Sequence, residues 1–323
     1  MKFWIAAVAA WAALLSAPAN AEDWPAKPVR IVVPWSPGGS ADLLGRMVAD
    51  HLSKAFHQTF FVENRPGASG LIGSAAVAHA EPDGYNLVIS GIPSHVVAPA
   101  SNPNAGFDPL KDFTHIAYLG GSPIVLTAHS SLGIKSLHDL LAKARADKTG
   151  MGYVSPGVGS LGNLVAEDLA RKESIKLEHI PYKGGSQAAQ DLIGGQVKLG
   201  CMTWSQTSPH FKTGVLVPLA VSSAKRMPGF PDLPTFKDLG YADLVTTTWW
   251  SLSGPAGMPK DVVQKINREV NKMLEDPHVL TALEPQAIET EQMSPEQFTT
   301  FVASEIKKWG PLAKAVIRRP NGG

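Results

Sequence analysis

The sequence is poor in cysteine and has no region of concentrated charge. Cys201 is the only cysteine among 323 residues, which excludes an intramolecular disulfide framework and a cysteine-rich zinc site. Lysine and arginine total 29, aspartate and glutamate total 28, and no stretch of the chain concentrates the basic residues. We therefore expect no surface dedicated to binding nucleic acid.

Two signatures of catalysis are also missing. Val158 stands two residues before Ser160, so the Gly-x-Ser-x-Gly nucleophile motif does not occur. The ten histidines form neither a His-Glu-x-x-His motif nor another close pair of metal ligands. We predict no catalytic residue, no metal and no cofactor. An exported hydrolase or lyase acting on small acids stays as an alternative, which would need a nucleophile–base pair or a metal.

The sequence has a long hydrophobic run only at its N-terminus. Residues 4–15 are apolar, and residues 19–21 form a small-x-small cleavage pattern. A transmembrane anchor would need about 20 apolar residues, whereas Pro18 ends this run early. The pattern predicts a signal peptide over residues 1–21 that is cleaved after Ala21, and hence an exported protein. The signal contains one lysine and no acidic residue, so the mature chain is neutral, with 28 residues of each sign.

From Val29 onward, short apolar runs alternate with amphipathic segments of helical length, which predicts an α/β fold with a parallel or mostly parallel sheet. The predicted strands are 29–35, 59–63, 86–90, 115–119, 123–128, 151–155, 177–182, 197–201, 215–221 and 246–254. The predicted helices are 40–56, 69–80, 136–147, 161–172, 186–193, 259–275 and 294–316.

The order of these elements predicts two domains. A late strand followed only by helices indicates that the chain leaves a second domain and returns to the first. We predict a discontinuous first domain over residues 22–122 and 250–323, and an inserted second domain over residues 123–249.

Two glycine-rich turns each join a predicted strand to a predicted helix. The first is PWSPGGSADLLGR at residues 34–46, and the second is MGYVSPGVGSLGNLVAEDL at residues 151–169. Amide groups in the first turn of a helix have no partner inside the helix and attract anions. One turn in each domain predicts an anion site between them, although each turn alone is also typical of a plain strand-to-helix connection. Asp42 either complements the helix dipole or points into the cleft to hold an amine or a water molecule.

The second turn also matches the Gly-x-Gly-x-x-Gly dinucleotide motif through Gly157, Gly159 and Gly162. The acidic residue that such a motif needs about 20 residues later could only be Glu178. That residue lies early in the next predicted strand rather than at its end, which disfavours a dinucleotide site.

Five stretches, taken together and in this order, resemble the tripartite tricarboxylate transporter substrate-binding proteins, also called Bug-type periplasmic receptors. They are PWSPGGSADLLGR (34–46), FVENRPGASGLIGSAAVAHAEPDGYNL (61–87), IPYKGGSQAAQDLIGGQVKL (180–199), PDLPTFKDLGY (231–241) and WSLSGPAGMPKDVV (250–263). The resemblance implies a type II periplasmic binding fold, with two α/β domains joined by two crossovers and a ligand cleft between them. It implies a receptor without enzymatic activity that delivers an organic acid to a permease with a large and a small subunit. An alternative output is signalling to a sensor protein. We expect a monomer.

The resemblance also implies binding residues by position. In the first turn these are Trp35, Ser36, Gly38, Gly39, Ser40 and Asp42, and in the second Ser155, Gly157, Gly159 and Ser160. Further candidates are Ser90, Ser94, Asn163, Thr203, Trp204 and His95, the only histidine that we place in a cleft loop.

The chain departs from the family pattern at two places. Asn163 occupies the position of a usual His-Leu pair, and Cys201-Met202-Thr203 replaces a usual Phe-Asp-Asn run. The missing acid, together with Trp204 and Trp249, suggests a less polar, aromatic carboxylate. The alternative is that the tryptophans pack the hinge and the core.

Overall fold

The computed structural model describes residues 24–317 apart from residues 103 and 183. The predicted signal peptide lies outside these residues. Within them, no helix is both long enough and apolar enough to cross a membrane.

Nine strands and ten helices alternate along the described chain. The strands are β1 (Val29–Val33), β2 (Phe60–Asn64), β3 (Asn86–Gly91), β4 (Phe113–His129), β5 (Met151–Ser155), β6 (Leu177–Pro181), β7 (Leu199–Thr203), β8 (Leu216–Val221) and β9 (Thr247–Pro255). The helices are α1 (Ser40–Phe56), α2 (Leu71–Ala78), α3 (Ala98–Ser101), α4 (Leu137–Ala146), α5 (Leu161–Glu173), α6 (Gly185–Ile193), α7 (Trp204–Thr207), α8 (Lys260–Met273), α9 (Pro277–Leu283) and α10 (Pro295–Ile317).

The strands form a mixed sheet in the order β2-β1-β3-β9-β4-β7-β5-β6, with β8 paired to β4. The pairs β1–β2, β1–β3, β5–β6 and β5–β7 are parallel. Each described pairing of β4 and β9 is antiparallel. The prediction of a mostly parallel sheet is therefore wrong, because the two long strands that connect the halves of the molecule run against their neighbours.

The predicted strands 115–119 and 123–128 are one continuous strand, β4. In the sequence, Gly120 and Gly121 indicate the end of one strand and the start of another. In the structure they lie inside β4, at an irregularity in its pairing with β9. Gly120 has a φ of 135°, which favours glycine. An added Cβ there would lie 2.7 Å from Ile288. The glycines thus let the strand bend as it passes from one half of the sheet to the other.

Each half of the sheet has a core that positions one glycine turn. In α1, Leu44, Val48 and Leu52 are fully buried in a core shared with β1, β3 and β9. In α5, Leu164 and Leu169 are fully buried in a second core. Helix α10 packs against α3 and β4 and also against α5, so the C-terminal helix contacts both halves.

Gly162 allows α5 to approach β7 closely. A Cβ at Gly162 would lie 2.0 Å from the Cys201 carbonyl oxygen, closer than any real contact. This packing accounts for the third glycine of the dinucleotide-like motif without a nucleotide.

We expect Gly162→Ala to lower the free energy of unfolding by at least about 2 kcal/mol, because the added methyl group must displace backbone. The matched control is Gly39→Ala, because a Cβ at Gly39 meets no atom within 4 Å. Urea denaturation of both variants measures the difference. A Gly162→Ala protein as stable as the control would contradict the packing argument.

Candidate functional site

The first turn lies between β1 and α1 and is open to solvent. Ser36, Gly38 and Gly39 are exposed, and Ser40 is half-buried. Gly38 has a φ of 91°, a conformation that glycine adopts without strain. Trp35 is half-buried beneath the turn, and a Cβ at Gly91 would lie 3.5 Å from its ring. The turn therefore presents backbone amides and hydroxyl groups beside an indole ring.

Asp42 holds this turn in shape. Its Oδ2 accepts hydrogen bonds from the Gly38 amide and from Arg46 Nε, both at 3.0 Å. Its Oδ1 accepts from Asn64 Nδ2 at 2.8 Å. Burial raises the pKa of Asp42, but the hydrogen bonds from Arg46, Asn64 and Gly38 outweigh burial and lower it. The carboxylate acts on the turn itself, a role that neither sequence-based interpretation of Asp42 included.

The second turn lies between β5 and α5. Gly157 has a φ of 150° and Gly159 a φ of 75°. Ser160 is the N-cap of α5, and its Oγ accepts a hydrogen bond from the backbone N–H of Asn163 at 3.3 Å. The Ser160 hydroxyl also donates to Ser155 Oγ at 3.0 Å. Two of the predicted residues thus form one connected pair of hydroxyl groups.

Asn163 holds the second turn as Asp42 holds the first. Its Oδ1 accepts from the Gly159 amide at 3.0 Å, and its Nδ2 donates to Tyr153 Oη at 2.7 Å. In both turns, the side chain that accepts the hydrogen bond lies four residues after the glycine whose amide donates it. The remaining amides at the start of each helix have no partner inside that helix, so both turns offer neutral donors to an anion.

His179 completes the second turn, and the sequence analysis missed it. Its Nε2 lies 2.7 Å from Ser155 Oγ. Burial lowers the pKa of His179 to about 4, so the ring is neutral at pH 7. No motif marks this residue. Only its register in β6, opposite Tyr153 in β5, brings it to the turn.

The structure places Ser90, Ser94 and His95 in the protein interior. Ser90 lies 2.6 Å from Ser251 Oγ and 2.8 Å from Ser253 Oγ. Ser94 Oγ lies 2.9 Å from His95 Nδ1. His95 belongs to a helical turn rather than a loop and is fully buried. Burial and the nearby His115 hold the pKa of His95 well below its usual value. Ser94 nevertheless lies near the first turn, because a Cβ at Gly70 would lie 2.9 Å from Ser94 Cβ and 3.5 Å from the Trp35 ring.

The tryptophans pack the core. Trp249 is fully buried, and its Nε1 donates to Glu305 Oε2 at 3.0 Å. Trp204 packs edge-on against Phe211 and Phe230, with ring centroids 5.4 and 5.2 Å away. Thr203, at the end of β7, is half-buried. The structure thus favours the alternative in which the tryptophans are structural.

Gln286 contacts the first turn from a distant part of the chain, and the sequence analysis missed it. The Ser40 hydroxyl donates a hydrogen bond to Gln286 Oε1. The residue lies in a short 3-10 helix, Glu284–Gln286, and carries no motif. In the described part of the chain, no three histidine, cysteine, aspartate or glutamate residues group as metal ligands.

Comparison with known proteins identifies the family. Residues 44–317 match the family described as the tripartite tricarboxylate transporter family receptor. The chain belongs to this family. It is 31% identical over 301 residues to protein BugT of Bordetella pertussis, covering 93% of this chain and 92% of BugT.

Solved structures give the same fold. R. palustris Rpa4515 with adipate has a TM-score of 0.81 and 32% identity, covering 91% of this chain and 98% of that one. MatC from Rhodopseudomonas palustris with bound malate has a TM-score of 0.78 and 28% identity, covering 90% of this chain and 100% of that one. These likenesses confirm the predicted fold class, the two-lobed periplasmic binding fold.

We expect Asp42→Asn to destabilise the protein at pH 7 by about 1–3 kcal/mol, because an amide cannot accept all three hydrogen bonds. The pKa of Asp42 is lowered from 3.8, so its stabilisation is present above pH 3.8 and is lost as the pH falls through the lowered pKa. Urea denaturation at pH 7, 5 and 3 should therefore show the stability difference between the wild type and the variant becoming smaller between pH 5 and pH 3.

The matched control is Asp50→Asn. Asp50 lies on the same helix and pairs with Lys54 in solvent, where an ion pair contributes little. A stability difference for Asp42→Asn that stays constant from pH 7 to pH 3 would show that the carboxylate does not carry the effect.

Proposed function

We propose that this receptor closes its two lobes over a small carboxylate and passes it unaltered to a tripartite membrane transporter. The observation that carries the proposal is the pair of glycine turns, each held in shape by a side chain that binds its own backbone amide. Such turns offer preorganised neutral donors, so a bound anion does not become an unpaired buried charge.

Closure follows from a ligand that contacts both turns. A carboxylate bridging the two lobes binds the closed form more tightly than the open form, and this differential affinity shifts the population towards closure. The lobes move about β4 and β9, which connect the two halves of the sheet. We propose domain boundaries in these strands, at residues 122/123 and 249/250.

We propose an aliphatic carboxylate rather than an aromatic one. The tryptophans that suggested an aromatic ligand pack against other core side chains. Relatives of known structure were solved with adipate and with malate. An open-chain acid can span two turns with a carboxylate or hydroxyl group at each, using the hydroxyl groups of Ser40 and Ser160.

The cellular setting extends the same proposal. Residues 1–21 act as a cleaved signal peptide, the mature protein works in the periplasm as a monomer, and the closed form is recognised by the large and small permease subunits. The ligand leaves chemically unchanged, because the proposed site holds it by hydrogen bonds alone.

A thermal-shift screen of adipate, malate, citrate and benzoate tests the proposal. At a concentration 100-fold above its Kd, a bound acid should raise the Tm by about 4 °C. NMR of the recovered acid should show it unaltered. Benzoate as the strongest stabiliser would contradict the aliphatic assignment, and conversion of any acid would contradict the receptor role.

We expect Gly39→Val to abolish ligand-induced stabilisation while leaving the ligand-free Tm within a few degrees. A Cβ here meets no atom within 4 Å, and Gly39 has a φ of −89°, so we expect the valine to fit without strain and to occupy the space over the turn. The control is Gly310→Ala in α10, where the nearest atom is 3.8 Å from the added Cβ. Undiminished stabilisation of Gly39→Val would exclude the first turn as the site.

A further inference from the structure

The segment after α9 contacts the first turn, the connecting strand β4 and helix α7 of the second half. It begins with the 3-10 helix Glu284–Gln286. This short helix packs against α7 of the second half, and Ala287 packs against the hydrophobic cluster that contains Trp204. Glu289 exchanges two backbone hydrogen bonds with Gly121 of β4, at 2.9 and 3.0 Å. The segment therefore lies where the first turn, the connecting strand and the second half meet.

Gln286 is fixed by its backbone and reaches the first turn with its side chain. Its carbonyl oxygen accepts a hydrogen bond from Ser122 Oγ at 2.7 Å, and Ser122 is buried in β4. Its side-chain oxygen accepts from the Ser40 hydroxyl. Leu283 and Ile288 on either side are buried in the core of the first half. The side-chain amide is thus preorganised at the edge of the turn.

The Ser40 hydroxyl has a single proton to donate. It can donate to the Gln286 amide oxygen or to a bound carboxylate, but not to both. A carboxylate is the stronger acceptor, because a hydrogen bond to an ionised group is about twice as strong as one between neutral groups. When the carboxylate takes this proton donor, the Gln286 amide is released and can turn to direct its N–H groups towards the same anion.

We propose, on the basis of the function proposed above, that Gln286 is a third carboxylate-binding group beside the two glycine turns. When the ligand binds, the Gln286 side chain gives up its hydrogen bond with Ser40 and donates one to the ligand carboxylate instead. Because the amide is neutral, it donates to an anion without adding a charge. A carboxylate at the same position would repel the ligand, so the neutral amide at residue 286 favours the binding of an anion.

The test is the isosteric substitution Gln286→Glu, with Kd measured by calorimetry for adipate and malate in parallel. At pH 7 the introduced carboxylate faces the ligand, and we expect the Kd to rise by about tenfold or more. The ligand carboxylate raises the pKa of the introduced group, so lowering the pH to 4.5 protonates it. The ratio of variant to wild-type Kd should then fall towards one. A purely structural role for Gln286 would not produce this pH dependence.

The matched control is Glu284→Gln, which changes one charge in the same short helix at an exposed position. We expect its Kd for both acids to stay within twofold of the wild type. If the wild type binds and Gly39→Val does not, but Gln286→Glu binds within twofold of the wild type at pH 7, the role of Gln286 is overturned and the proposed function stands. The role of Gln286 is also overturned if Gln286→Glu binds more weakly than the wild type at pH 7 and the ratio of the two Kd values is the same at pH 4.5. Failure of the wild type to bind either acid would count first against the proposed function.

Discussion

The candidate site depends on one interaction that occurs in both halves of the molecule. A side chain at the first turn of a helix accepts a hydrogen bond from the amide of a glycine four positions earlier: Asp42 accepts from Gly38, and Asn163 accepts from Gly159. A glycine turn on its own is conformationally free and would lose entropy on binding. Because each turn is closed by its own helix, the remaining donors are already in place before a ligand arrives.

The two turns use different chemistry for the same purpose. Asp42 brings a negative charge near a proposed anion site, and Arg46 lies 3.0 Å from it to balance that charge. Asn163 is neutral and donates a hydrogen bond to Tyr153 Oη. The Tyr153 hydroxyl in turn donates to Glu167 Oε1 at 2.9 Å. Burial, followed by the charge of Glu167, raises the pKa of Tyr153. The Tyr153 hydroxyl therefore keeps its proton and can donate to Glu167 while it accepts from Asn163.

Much of the fold could be predicted from the sequence, because local patterns determine it. Helix α1 occupies residues 40–56 as predicted, since its apolar stripe and the glycines before it mark both its face and its start. The continuity of β4 could not be predicted, because Gly120 and Gly121 indicate a break unless the partner strand is known. Likewise His179 and Gln286 reach the turns only through strand register and a long-range contact, and neither leaves a local signal. The side chains that could be predicted are those on the turns themselves.

A site built from amides and hydroxyl groups suits a protein that must release what it binds. A buried ion pair would stabilise the complex only with strict geometry, and breaking it would leave a costly unpaired charge. Neutral donors such as Ser40 and Ser160 can instead return to partners within the protein, Gln286 and Ser155. When the anion leaves, these two hydroxyl groups therefore still have a hydrogen-bond acceptor. The same contacts that orient the donors therefore lower the barrier to release, and affinity differences among ligands should arise mainly in the dissociation rate.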